Sequence, residues 1–168
     1  MRNEKSSKMV RAALLSALCL VMTRVVVIPA PTGYLNLGDC GVLLSAWMLG
    51  PFYGGMAAGI GTMLADVLSG FALYAPATFV IKFAMAAAAA LVLGRKKNSK
   101  ITRAYIVGAV IAEVIMVAGY FTYESMVLGV GLAAAASVPA NVVQGIVCAA
   151  AAVVLMGALR KSMAVLAE

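Results

Sequence analysis

Long apolar runs alternate with short breaks along this chain. The runs cover about 9–28, 39–49, 52–69, 76–94, 104–125 and 137–160. Each is long enough to predict a helix, and the breaks between them carry Gly and Pro. The first run ends at a cluster with Pro29, Pro31 and Gly33. Gly50-Pro51 separates the second from the third, and Gly70 ends the third. The final apolar stretch, 126–159, is too long for one crossing at about 1.5 Å per residue. Pro139 divides it, which predicts a sixth helix from about Ser137, with Ser137 as its cap and Pro139 in its first turn. A basic start before an apolar run also suits a signal peptide, but this run is longer than a signal core and contains Arg24.

Composition decides what these helices are for. The 168 residues are 64% apolar and 11% charged, and mean hydropathy is +1.04. Soluble domains lie nearer 45–50% apolar and about 25% charged. A membrane span needs roughly 20 apolar residues, so six short-looped spans fill the length. The expectation is a single all-α integral membrane domain with six transmembrane helices.

Charge supplies the direction. The net charge is +7, and eleven of the thirteen basic residues fall in three patches. Arg2, Lys5, Lys8 and Arg11 precede the first run. Arg95, Lys96, Lys97, Lys100 and Arg103 link the fourth and fifth. Arg160 and Lys161 follow the last. Patches flanking membrane spans read as positive-inside signals rather than a nucleic-acid surface. Six crossings place all three on the cytoplasmic side, with both termini. The loops at 29–38, 70–75 and 125–137 then face outward, without Lys or Arg.

Several chemistries are excluded or disfavoured. There is no His, which removes His metal sites and Ser-His-Asp triads. Cys19, Cys40 and Cys148 form no CxxC and read as small core residues. No metal or other cofactor is expected. The phosphate-binding GxxxxGK[ST] motif is absent, so any ATP-driven work needs a partner.

The ionisable residues within or near the spans are Arg24, Asp39, Asp66, Lys82, Glu113 and Glu124. Each costs a few kcal/mol to hold in a bilayer and so has a reason to be there. Together with Asn36, Asn141 and Gln144 they gather toward the outer ends, with Glu113 deeper, near the midplane. A channel carries polarity along its whole length. An outer cluster over a sealed inner half reads as a capture site open to the outside. Simpler readings compete at each position. Asp66 and Lys82 suit a structural ion pair. Glu124 suits a solvated helix end. Asn141 and Gln144, three apart on one face, suit interhelical bonding. Tyr34, Phe71, Tyr74, Tyr120, Phe121 and Tyr123 read as an interfacial belt or as stacking groups, and Trp47 as a belt residue. Small residues at helical spacing, Ala13/Ala17, Gly55/Gly59 and Ala57/Gly61, suit close helix contacts. On the first helix they suit a partner-docking face equally.

These features occur in a recognisable order. The segments are Pro31-Thr32-Gly33-Tyr34-Leu35-Asn36-Leu37-Gly38-Asp39, Leu49-Gly50-Pro51-Phe52-Tyr53-Gly54-Gly55, Leu64-Ala65-Asp66, Tyr74-Ala75-Pro76-Ala77-Thr78 with Ile81-Lys82, Ala112-Glu113-Val114 with Gly119-Tyr120, and Pro139-Ala140-Asn141 with Gln144-Gly145. Together they resemble the substrate-binding S component of energy-coupling factor (ECF) vitamin transporters, in the riboflavin-type branch that includes proteins for pyridoxine and thiamine-precursor uptake. The resemblance implies a multi-pass protein of a prokaryotic cell membrane that is not an enzyme. It implies capture of one vitamin from outside and docking on a transmembrane coupling protein with two ATPases. It implies a lid in the loop after the first helix and a docking face at Ala13 and Ala17. Asn36 and Asp39 then mark the lid and its anchor. Lys82, Glu113, Tyr120, Asn141 and Gln144 become the ligand-facing candidates, and Asp66 a structural partner of Lys82. Asn, Gln and Glu suit a small neutral or weakly basic ring with hydroxymethyl groups, which favours pyridoxine or hydroxymethylpyrimidine, then riboflavin. The competing reading is a solitary proton-coupled carrier using Glu113. An intramembrane enzyme and an assembly subunit have less support.

Overall fold

The structure is a computed structural model that describes residues 4–29, 34–94 and 101–165. The basic linker at 95–100, the loop crown at 30–33, Arg2, and the side chains beyond Arg160 lie outside the described residues.

Helix α1 spans Glu4–Val25. It begins earlier than the apolar pattern implies, because Glu4 in the first turn complements the helix dipole and carries the helix through the basic stretch. It also ends earlier. The β-branched run from Val25 to Ile28 before Pro29 favours extended backbone. Ile28–Pro29 (β1) accordingly pairs antiparallel with Tyr34–Leu35 (β2), Ile28 opposite Leu35 and Pro29 opposite Tyr34. The loop expected after the first helix is therefore a small β-ribbon at one end of the bundle. Arg24 reaches across to the end of the next helix, donating from Nη1 to the Leu68 carbonyl and the Ser69 hydroxyl, each at 2.9 Å.

Helix α2 spans Gly38–Leu68 with a break at Gly50 (φ 79°, ψ −175°). That backbone conformation is nearly restricted to glycine, and Pro51 next to it has no N–H to continue the ladder. In a straight helix residues nine apart stand about 13 Å from each other along the axis. Here a Cβ on Gly54 would lie 2.6 Å from the Ser45 carbonyl oxygen. The chain has folded back, and α2 is two limbs, 38–49 and 51–68, packed on each other. The first limb is buried on every side from Gly38 to Trp47, so it is the central post of the bundle. Helix α1 crosses the second limb where Gly61 leaves room for the Ser16 backbone and Cys19.

Helix α3 (Ala75–Gly94) buries Thr78, Ile81, Lys82, Met85, Ala86, Ala89 and Ala90, a 3.6-residue stripe aimed at the post. Gly55 and Gly59 let α3 approach: a Cβ there would stand 2.7 and 2.8 Å from the rings of Phe83 and Phe79. Helix α4 (Ile101–Thr122) continues into a π-helical turn, Tyr123–Val127. A 3-10 segment, Gly131–Ser137, leads into α5 (Val138–Val165). Ser137 does not cap α5. Its hydroxyl donates to Glu124 Oε2 at 2.7 Å.

The core is built from the post with Met85, Ala86, Ala89, Met116, Cys148 and Ala152 around it. All three cysteines are buried and free. Trp47 belongs to this core rather than to an interfacial belt: it is buried and its ring lies 4.7 Å from that of Tyr105. The outward faces are largely valine, leucine and isoleucine, exposed along α1, α4 and α5. Among the described residues four segments are long and apolar enough to cross a membrane: Gly38–Leu68, Ala75–Gly94, Arg103–Val127 and Gly131–Arg160.

Candidate functional site

The polar residues converge beneath the β-ribbon. Asn36 sets the start of α2: its Oδ1 accepts from the Gly38 N–H at 2.8 Å, an Asx turn. Its own N–H donates to Gln144 Oε1 at 2.8 Å. The other end of that amide, Gln144 Nε2, donates to Asp39 Oδ2 at 2.6 Å. Asp39 Oδ1 takes the Lys82 ammonium in a fully buried ion pair. One carboxylate at the top of the post thus joins α3, α5 and, through Gln144, the ribbon. The Lys82 Nζ also lies 5.3 Å from the centroid of the Tyr120 ring, within cation–π range. The Tyr120 hydroxyl bonds Thr78 Oγ1 at 2.9 Å.

A second set closes the other wall. The Tyr34 hydroxyl donates to Asp66 Oδ1 at 2.8 Å, and its ring stacks against Phe71 at 4.9 Å. Glu124 accepts from Ser137 and, at 3.5 Å, from the Tyr74 hydroxyl. Burial, reinforced by the neighbouring carboxylates, raises both phenols: Tyr34 beside Asp66, and Tyr74 beside Glu124 to about 12. Each remains a proton donor at neutral pH.

Between these walls lies a cavity with about 40 Å³ of free space. Tyr34, Phe71, Tyr74 and Tyr120 supply its aromatic faces. Asn36, Asp66, Thr78, Lys82, Glu124, Asn141 and Gln144 supply its polar ones. The free volume holds only a few waters, at roughly 10–15 Å³ each.

Of the residues singled out from sequence, Asn36, Lys82, Tyr120, Asn141 and Gln144 line this cavity. Asp39 sits directly below, bonded to two of them. Three expectations need correction. Lys82 pairs with Asp39, not with Asp66, which takes Tyr34 instead. Glu124 is no solvated helix end: it is 2% exposed and faces the cavity. Glu113 does not face the cavity but a separate cleft between α4 and α5. Tyr34, Phe71 and Tyr74 are cavity walls, not a simple belt, and Thr78 was overlooked. The spacing Tyr74, Thr78, Lys82, at i, i+4 and i+8 on one helix face, carried that information. Ala13 and Ala17 are exposed on α1, while Ser16 and Cys19 face α2.

An apolar helical bundle around a central post, with a polar and aromatic chamber near one end, is the architecture of a multi-pass membrane protein. The comparisons with known proteins agree. The sequence matches the family described as ECF-type riboflavin transporter, S component, over residues 3–161, and the chain belongs to that family. It is similar to a protein of Pyrococcus woesei described as "uncharacterized protein in gap 3'region", with 37% identity over 108 residues, 64% of this chain and 70% of the relative. Its fold matches a structure described as the S component of a bacterial ECF transporter, with a TM-score of 0.70 over 95% of this chain and 98% of that one. Identity there is 22%, so the likeness is one of fold. The chain is therefore a multi-pass membrane protein, from a family of vitamin-binding transporter subunits rather than enzymes.

Proposed function

We propose that this protein captures a planar heterocyclic vitamin or precursor from outside the cell and carries it to an ATP-driven coupling module. The observation that carries this reading is the chamber beneath the ribbon, walled by four aromatic rings and bordered by hydrogen bonds from Tyr34 of the ribbon and from Asn36 just after it. A ring would slide among Tyr34, Phe71, Tyr74 and Tyr120. Asn36, Lys82, Glu124, Asn141 and Gln144 would meet its polar substituents. Asp39 would act from below by holding Lys82 and Gln144 in place. A ring of pyridoxine or hydroxymethylpyrimidine size is the first substrate reading, because the chamber is small. Riboflavin is the second, favoured by the aromatic walls and by the description of the family.

In this reading both termini and the basic linker lie in the cytoplasm, with six crossings that count the two limbs of α2 separately. The three basic patches support this. The coupling partners would be a transmembrane protein and two ATPases, docked on the α1 face that carries Ala13 and Ala17. That face is exposed, and its small residues allow close helix approach. A solitary proton-coupled carrier needs its proton site beside its cargo, and the position of Glu113 outside the chamber weighs against it.

The test is mass spectrometry of small molecules released from the purified protein, followed by a binding screen with pyridoxine, hydroxymethylpyrimidine and riboflavin. One vitamin recovered near one-to-one is the expected result. No retained molecule and no binding to any of the three would refute the reading.

A further inference from the structure

Glu113 does not line the chamber, and among the described residues its carboxyl has no hydrogen-bond partner. It is 8% exposed, and neither carboxyl oxygen has a hydrogen-bond donor. Among the described residues, the two basic side chains outside the flanking patches are engaged elsewhere, buried Lys82 by Asp39 and exposed Arg24 by the end of α2. An unpaired buried carboxyl is costly to keep.

The surroundings show what would satisfy it. Glu113 lies in a cleft of about 590 Å³ between α4 and α5. The helices meet where Gly145 faces the carboxyl: a Cβ on Gly145 would be 3.0 Å from Oε2. The walls around it are apolar, Val114, Val117 and Phe121 on one side, Val142 and Ile146 on the other. From Val110 to Phe121 the groove runs about 16 Å along α4. Val114, Val142 and Ile146 are exposed on the outer surface of the bundle, so the groove opens toward the lipid rather than toward the chamber. Its volume falls within the range of small-molecule sites, about 300–1,000 Å³, with one polar group in an apolar wall.

We propose that this groove is a second ligand site, reached from the bilayer, for a hydrophobic amine. The ammonium of such a molecule pairs with Glu113 in a charge-assisted hydrogen bond, and its apolar body fills the channel between α4 and α5. Charge complementarity selects the amine over a neutral hydrophobe. The vitamin chamber and this groove share no lining residue, so the proposal stands apart from the choice of vitamin.

The experiment measures equilibrium binding of radiolabelled decylamine to the full chain in nanodiscs, with empty nanodiscs as the background. Three proteins are compared: wild type, Glu113→Gln, and Ala118→Phe, which fills the groove while keeping the carboxyl. Thermal melting confirms that each variant is folded. The expected result is saturable one-to-one binding by the wild type, at least about tenfold weaker in both variants, and poor competition by decanol. Equal uptake by all three proteins overturns the proposal. So does decanol competing as well as decylamine, or wild-type uptake no greater than that of empty nanodiscs.

Discussion

Removing the carboxylate of Asp39 tests the centre of the structure. Asp39→Ala leaves the Lys82 ammonium, 3% exposed, without its paired carboxylate and strips Gln144 of its acceptor. Breaking a buried ion pair by deleting one partner costs roughly 3–5 kcal/mol, mostly from the stranded charge. For a chain of this size each kcal/mol moves the melting temperature by about 2–4 °C. A drop on the order of 10 °C in detergent is expected. The double variant Asp39→Leu/Lys82→Met removes both charges and keeps apolar volume, so it should melt well above the single variant, near or above wild type. Asp66→Asn gives the contrast. It loses only part of the bond from Tyr34, about 1–2 kcal/mol, and leaves Lys82 paired. A fluorescence melting series on the four proteins decides the matter. If Asp66→Asn is as damaging as Asp39→Ala, or if the double variant is no better than the single, the pairing described here is wrong.

Other outcomes follow from single contacts. Gly50→Ala places a Cβ in open space but at φ 79°, so its cost is backbone strain alone, about 1–3 kcal/mol, visible as a lower melting temperature with ligand affinity unchanged. Gly61→Ala drives a Cβ into the Ser16 backbone and should cost about 1–3 kcal/mol as α1 shifts, read by faster proteolysis of α1. Tyr34→Phe removes the bond that ties the ribbon to Asp66; it should speed vitamin release several-fold in a stopped-flow assay. Ala13→Leu with Ala17→Leu should abolish co-purification with the coupling module while vitamin binding persists, and retained co-purification would disprove that docking face.

Much of this was legible because membrane helices announce themselves by length and apolarity. The breaks at Gly50-Pro51 and Gly70, and Pro139 in the first turn of α5, are local signals and the structure respects them. The set Asn36, Lys82, Tyr120, Asn141 and Gln144 was legible because buried polarity in an apolar chain is rare. What the sequence does not give is pairing. Asp39 and Asp66 both lie near the outer ends of their limbs. Only the foldback at Gly50 and the packing of α3 decide which one meets Lys82. Glu124 escaped for a similar reason. Its partners, Tyr74 and Ser137, lie fifty and thirteen residues away, and no periodicity links them. The sequence puts Glu113 near the middle of its helix, but the face it turns to depends on the rotation of α4 against α5.

The break at Gly50 has an effect far from itself. Both limbs of α2 start from the same turn, yet one has twelve residues and the other eighteen. At about 1.5 Å per residue they rise roughly 18 and 27 Å. The post therefore stops some 9 Å below the top of its neighbour, and the bundle has a well where a turn and a half of helix is missing. Asp39 is the floor of that well and the ribbon its cover. The depth of that well is thus set by the number of residues in one limb of a helix, and the side chains around it set only its chemistry.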